Sequence, residues 1–228
     1  MADDDDDVTL FGFWASMFGI QCRLALTLKG IEYKYKEEAD LFDQSPSLVQ
    51  LNPVFKGIPV LIHNGKSVSK PVCESPVILD YIDEAWHNKV PFFPSDPYGR
   101  SQARFWADYI DKTLYVPGKN VWMKKKGKEQ EAARKEVVDG LKAMEGELGE
   151  KPFFGGDKLG LVDLVLLSYS CWFHTFEMFG NFSIKAEAPK LIEWVRRCME
   201  QESVSWLLPD PDKVYASVLQ CKKKYGLE

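Results

Sequence analysis

The sequence predicts a two-part chain, a small mixed α/β domain followed by an all-helical domain. Three observations predict it. Over roughly the first ninety residues, short extended patterns alternate with helical ones. A proline-containing stretch from His87 to Gly99 then interrupts them. Everything after that stretch carries helical periodicity.

Each element has its own warrant. Residues 8–13 read as a short strand. Residues 17–29 follow as a helix, with Phe18, Cys22, Ala25 and Leu26 on one apolar face and Lys29-Gly30 as its stop signal. Residues 31–36 alternate strictly, which is the pattern of a half-buried strand. A poorly defined stretch comes next. Residues 58–62 and 71–73 then flank a turn containing Asn64-Gly65 and predict a hairpin. Val77, Ile78, Tyr81, Ile82 and Ala85 mark another helix. A β-α-β unit followed by β-β-α implies a small mixed sheet with helices packed on it. This domain is expected over 8–87 and a linker with Pro91, Pro94 and Pro97 over 88–99, leaving 100–228 for the helical domain. Helices are expected there at 100–122, 128–148, 161–179, 189–200 and 213–225, the second with Ala133, Val137, Leu141, Met144 and Leu148 on one stripe. No internal repeat is found.

Composition bounds the function. The 228 residues are 45% apolar and 28% charged, ordinary values for a globular protein. A net charge of -5 argues against a nucleic-acid or anionic-membrane partner recruited by bulk charge. The run Asp3 to Asp7 has no apolar face and is expected as a solvated tail, and no basic, apolar secretory signal precedes the first strand. The most hydrophobic window, 159–176, contains Asp163, Ser168, Ser170 and His174, so it reads as a buried helix rather than a membrane span. Five scattered cysteines without a C-x-x-C pair offer neither a disulfide framework nor a zinc site, and the three histidines lack metal-ligand spacing. A reducing, cytoplasmic compartment is the default expectation.

The chemistry centres on Ser16, in the run FWASMF between a strand pattern and a helical one. As a nucleophile it would need a histidine base and an orienting acid, and no G-x-S-x-G elbow surrounds it. As an N-cap its hydroxyl would accept a backbone N–H. As a ligand contact it would donate a hydrogen bond to something bound at the turn. Ile58-Pro59 lies inside a strand pattern, where proline marks an edge or a bend and a cis bond is plausible. Such a bend frees backbone groups for a peptide-like ligand. Glu74-Ser75-Pro76 marks a helix start, whose free N–H groups suit a carboxylate; capping is the ordinary alternative for Ser75.

These residues resemble a known family. NPVFKGIPVLIHNG (52–65), PVCES (71–75) and YIDEAW (81–86) look like the glutathione transferases, and more narrowly their plant tau class. FFPSDPYGRSQARFWADYID (92–111), FFGGDKLGLVDL (153–164) and APKLIEWVRRCMEQESV (188–204) continue the match in order. The resemblance implies a thioredoxin-like domain followed by a helical one, in a homodimer. It implies no tightly bound cofactor, with glutathione as cosubstrate. Ser16 matches the serine that hydrogen-bonds the glutathione sulfur, with Phe18 beside it. Pro59 matches the cis-proline, Ile58 the backbone partner of the cysteinyl unit, and Glu74 and Ser75 the pair at the γ-glutamyl end. Serine rather than cysteine at position 16 disfavours a thiol-disulfide oxidoreductase, and Cys22 falls on the core stripe.

The sequence also departs from the family pattern. Gln44 and Gly57 stand where the tau class commonly carries lysines that help hold the glycyl carboxylate; Lys56 lies one residue away, though strand alternation would aim it elsewhere. Weakened glutathione affinity is the expectation. Met17 replaces a first-turn proline, and the hairpin after His63 is about four residues longer than usual, a tolerable change. Gly160 stands where a Ser or Thr often caps the helix of Asp163, itself expected to be structural. The electrophile is expected between the domains against Phe13, Trp14, Tyr115, Lys119 and Trp122, with Trp172, Ser217 and Cys221 as further lining. Tyr115, Lys119 and Trp122 fall at i, i+4, i+7 and so share a helix face. The sequence thus reads as a transferase joining the glutathione thiolate to hydrophobic electrophiles or reducing hydroperoxides. The alternative is a non-catalytic carrier of flavonoids or similar aromatics.

Overall fold

The computed structural model describes residues 7–38, 45–64 and 71–227. Residues 3–6 of the acidic run, Gln44 and the Gly65 turn lie outside the described residues. The chain divides into two units, Met1–Phe92 and Phe93–Glu228.

In the first unit, β1 (Asp7–Gly12) is followed by α1 (Met17–Leu28), β2 (Lys34–Glu37), α2 (Pro46–Leu51), β3 (Val60–Asn64), β4 (Pro71–Cys73) and α3 (Ser75–Ala85). The four strands lie in the order β2-β1-β3-β4, with β1 and β2 parallel and both other pairings antiparallel. Leu10 pairs with Leu61 and Phe11 with Val60, so alternate side chains reach opposite faces. Phe11 and Val60 form one apolar cluster with Leu48 of α2. On the other face α1 and α3 pack together, burying Ile20, Leu24, Ile78 and Ile82.

Two expectations for this unit need correction. Asp7 is not tail: it begins β1 and pairs with Lys34 Nζ at 2.8 Å. The second strand starts at Lys34 rather than at residue 31, because the stop of α1 uses the intervening residues. Gly30, at φ 68°, donates to Thr27 O and Ile31 donates to Leu26 O, the paired bonds of a Schellman cap. As an edge strand, β2 is mostly exposed. The poorly defined stretch holds α2, a short helix capped by Ser45, whose Oγ accepts from Leu48 N at 3.2 Å.

The second unit is helical: α4 (Pro97–Ile110), a π-helical turn (Asp111–Tyr115), α5 (Val116–Met123), α6 (Lys128–Leu148), α7 (Leu161–Ser170), α8 (Phe173–Gly180), α9 (Ile184–Glu187), α10 (Pro189–Met199), α11 (Glu202–Ser205) and α12 (Pro211–Lys224). The expected helix 100–122 is therefore interrupted. Pro117 has no N–H to offer the carbonyl four residues back, and its ring crowds that carbonyl, so the register slips into a π turn just before it. The same helix begins three residues early, inside the expected linker, because Asp96 Oδ1 caps it by accepting from Gly99 N at 2.7 Å. The expected helix 161–179 is two helices, α7 and α8, parted at Cys171–Trp172.

Buried Asp163 organises the second unit. Its carboxylate accepts from Phe154 N (2.9 Å), Gly155 N (2.9 Å), Gly160 N (2.8 Å) and Trp194 Nε1 (2.8 Å). Burial pushes its pKa up while these four donors pull it down. Three of these bonds tie the preceding loop to α7 and the fourth ties α10 to it, which is the structural role expected of Asp163. Among the described residues no helix is long and apolar enough to cross a membrane.

Candidate functional site

Strand register brings the glutathione candidates of the first unit to one end of the sheet. Gly12 pairs with Glu37, Phe11 with Val60, and Val60 with Cys73. The chain leaving β1 toward Ser16, the chain entering β3 through Ile58-Pro59 and the chain leaving β4 toward Glu74-Ser75 therefore emerge side by side. Helices α1 and α3 both begin there, so two helix N-termini bring positive partial charge to the same place.

Ser16 is the N-cap of α1. Its φ of −71° and ψ of 116° are extended, and its Oγ accepts from Gly19 N at 3.3 Å. Ser16 is 8% exposed. The turn that carries it is fixed on both sides: Ser16 N donates to Phe13 O at 2.9 Å, Trp14 N to Glu37 Oε1 at 2.7 Å, and Glu38 N to Gly12 O at 2.7 Å. Phe18, in the first turn of α1, is half-buried.

The Ile58-Pro59 peptide is cis, and the Ile58 amide and carbonyl take part in none of the backbone hydrogen bonds among the described residues. Pro59 is buried and Gly57 half-buried. The preceding turn is held by Asn52, which donates from Nδ2 to Gly57 O at 3.0 Å and accepts at Oδ1 from Phe55 N at 3.2 Å. Lys56 is exposed on this turn with φ 53°, outside any strand, so alternation does not set its direction. At α3, Glu74 rather than Ser75 holds the cap position, with φ 72°; Ser75 is the first helical residue and is 3% exposed. The Glu74 side chain makes no capping hydrogen bond to this turn.

The Cys73 and Cys171 thiols are poor nucleophiles. Burial, followed by the charge of Glu74, pushes the Cys73 thiol up, and burial raises that of Cys171 to about 12. Cys22 is fully buried in the core.

The electrophile candidates are less tightly grouped. Phe13 and Trp14 contact each other, with ring centroids 5.9 Å apart. In the second unit Tyr115 closes the π turn and is 38% exposed, Lys119 is half-buried, and Trp122 is 9% exposed. Gly118 lets α5 approach α8, since a β-carbon there would lie 2.5 Å from Phe176. The Trp172 ring lies 6.5 Å from that of Phe176. Ser217 and Cys221 are half-buried on α12, the Ser217 hydroxyl donating to Val214 O at 2.8 Å. A groove of about 690 Å³ in this unit, lined by Lys128, Lys135, Asn181, Phe182 and Glu187 among others, includes none of these candidates.

Supporting residues were missed from sequence. Buried Glu38 accepts from Ser45 Oγ (2.9 Å) and Ser45 N (3.2 Å), fixing the start of α2. Asn52 shapes the approach to Ile58. Gln130 Nε2 donates to Val121 O (2.8 Å) and Phe179 O (3.2 Å), and Lys222 Nζ donates to Trp122 O (2.6 Å). Only Asn52 had a readable signal, as a polar residue at a helix stop before a turn.

Comparisons with known proteins identify the family and the fold. Residues 6–84 match the family description "Glutathione S-transferase, N-terminal domain", and residues 97–202 match "Glutathione S-transferase, C-terminal domain". The chain is 56% identical to the probable glutathione S-transferase parA of Nicotiana tabacum, over 98% of this chain and 99% of that one. Among solved structures, a rice glutathione transferase in complex with glutathione is 43% identical at a TM-score of 0.88, covering 97% of this chain and 98% of its own. The tau-class enzyme of mango, Mangifera indica, is 34% identical at a TM-score of 0.86, covering 94% and 98%. The chain therefore belongs to the glutathione S-transferases, and within them to the tau class.

Proposed function

We propose that glutathione lies across the end of the four-stranded sheet, with its sulfur at Ser16, its cysteinyl backbone along Ile58 and its γ-glutamyl carboxylate at the N-terminus of α3. The observation that carries this reading is the register joining Phe11, Val60 and Cys73, which gathers these three segments beside two helix N-termini. Glutathione is the cosubstrate of this transferase family, and the protein joins it to hydrophobic electrophiles.

Ser16 favours the thiolate. Its oxygen already accepts from Gly19 N–H, so its own hydrogen remains to donate to sulfur. A thiol near pKa 8.5 is only about 3% ionised at pH 7, and lowering it by ~2 units makes most of it nucleophilic. A hydroxyl donor and the positive end of α1 supply that shift together. The thiolate then attacks the electrophilic carbon; the sulfur–carbon bond forms and the leaving group departs with its electron pair. Attack on a hydroperoxide oxygen is the second reaction this nucleophile supports: the O–O bond breaks, the alcohol departs and the sulfur becomes a sulfenic acid, which a second glutathione converts to the disulfide and water. Five cysteines, none of them in a disulfide, suit a reducing, cytoplasmic setting, and the protein works as a homodimer.

The test is glutathione-dependent turnover of an activated aryl chloride in three proteins. Ser16→Ala removes both cap and donor; Ser16→Asp keeps an acceptor for Gly19 but cannot donate. Both variants should lose roughly tenfold or more in kcat/KM. Only Ser16→Ala should also lose about 1 kcal/mol of stability. Full activity in Ser16→Asp would sink the role assigned to the hydroxyl. A second reading, a carrier of flavonoid-like aromatics, draws on Gly57, which puts no cation at the glycyl end; tight aromatic binding with no turnover would favour it.

A further inference from the structure

Helix α12 buries only Val214 and Val218. Apolar contact alone therefore holds it lightly, and three further contacts fasten it to α8. At its start Asp212 meets His174 Nε2 at 3.5 Å, an exposed pair of little weight. In its middle the Tyr215 ring lies 5.4 Å from His174 and 5.5 Å from Phe179. Near its end Lys222 Nζ sits 5.4 Å over the Phe179 ring and donates to Trp122 O at 2.6 Å.

The last contact is of a different kind, because it reaches a second helix. Trp122 O is among the final carbonyls of α5, which have no partner within the helix. Its neighbours are already satisfied: Asn120 O accepts from Lys124 N at 3.0 Å and Val121 O from Gln130 Nε2 at 2.8 Å. Gln130 also bonds Phe179 O, in the last turn of α8, at 3.2 Å. The C-terminal ends of α5 and α8 thus meet, and both carry negative partial charge. Lys222 is the cation placed against that junction.

We infer that Lys222 is a positioning residue that latches α12 onto the ends of α5 and α8 and so sets the electrophile-binding face. The inference rests on the reading that Tyr115 of the π turn, Lys119 and Trp122 of α5, and Ser217 and Cys221 of α12 line that face. Trp122 contributes both the latched carbonyl and a candidate lining ring. Ser217 and Cys221 lie within five residues of Lys222 on the same helix, so a swing of α12 moves them directly.

The test combines hydrogen exchange with steady-state kinetics on the full chain, in the natural protein and in Lys222→Ala, Lys222→Arg and the neighbouring Lys223→Ala. Lys222→Gln, which keeps an N–H donor without charge, replaces Lys222→Ala if the latter does not fold. In Lys222→Ala, exchange over 211–224 should quicken about tenfold and the KM for the aryl chloride rise roughly three- to tenfold. The KM for glutathione should stay within about twofold, and Lys222→Arg and Lys223→Ala should behave like the natural protein. Unchanged exchange in α12 overturns the latch whatever the activity. Faster exchange with an unchanged electrophile KM, or with both constants rising together, overturns its effect on the electrophile face. A natural protein without glutathione-dependent turnover would instead overturn the reading of the site, and the exchange measurement, which needs no substrate, still decides the latch.

Discussion

In the proposed placement of glutathione, Gly57 stands where a cation would meet the glycyl end, and its surroundings leave room for one. A β-carbon there meets nothing nearer than Phe55 O at 3.8 Å, an ordinary contact. Gly57→Lys should therefore fold normally and restore one charged hydrogen bond, lowering the KM for glutathione about five- to tenfold with little change in kcat. A titration of glutathione at saturating aryl chloride checks this, and an unchanged KM would mean that Lys56 already serves that carboxylate. The residues that matter here differ in how readable they were. Ser16 announced a cap by its place between strand and helix, yet only its resemblance to a known serine gave it a partner. Glu38 was unreadable, because its bond to Ser45 depends on how the end of β2 comes back to the start of α2.

At the scale of elements, the ion pair between α1 and α3 deserves its own test. Lys29, with a fully buried side chain, meets Asp83 at 3.0 Å and donates to Trp86 O at 3.2 Å and Val90 O at 2.8 Å. Asp83 in turn accepts from Phe92 N at 2.9 Å. Every group in this cluster has a partner, so removing one leaves an uncompensated buried charge. Lys29→Met should lower stability by about 3–5 kcal/mol, read from the urea midpoint, and Lys29→Met with Asp83→Leu should recover most of that loss. A loss under about 1 kcal/mol in the single variant would show the pair to be solvated in solution. The sequence marked Lys29 only as a helix stop. It placed the long helices well, since periodicity over several turns is hard to mistake, but missed α2, α9 and α11, which are too short to show a period. The π turn had a signal that was passed over, Pro117 inside an otherwise helical run. The break at Cys171–Trp172 had none, being free of glycine and proline.

At the scale of the whole molecule, the order of elements made the two-unit architecture legible, whereas assembly depends on which apolar side chains the fold turns outward. Val54 and Phe55 are 77% and 68% exposed. Looseness does not explain this, because Asn52 ties the turn at Phe55 N, at Gly57 O and, through its own carbonyl, at Lys56 N. A turn fixed by three hydrogen bonds holds an aromatic ring in water. In the second unit α4 likewise presents Tyr98 and Phe105, 74% and 56% exposed, with Arg100 and Arg104 drawn over Phe93. Rigidly displayed rings of this kind mark an interface more than scattered surface residues do. A homodimer that buries Phe55 should show light-scattering mass twice the 26.1 kDa of one chain. Phe55→Ser should shift the species toward monomer by roughly tenfold or more in dissociation constant, with the circular dichroism unchanged. A natural protein that stays monomeric at micromolar concentration would assign the exposed turn to a different partner. A dimer indifferent to Phe55→Ser would place its contact elsewhere, with the exposed face of α4 the next to change.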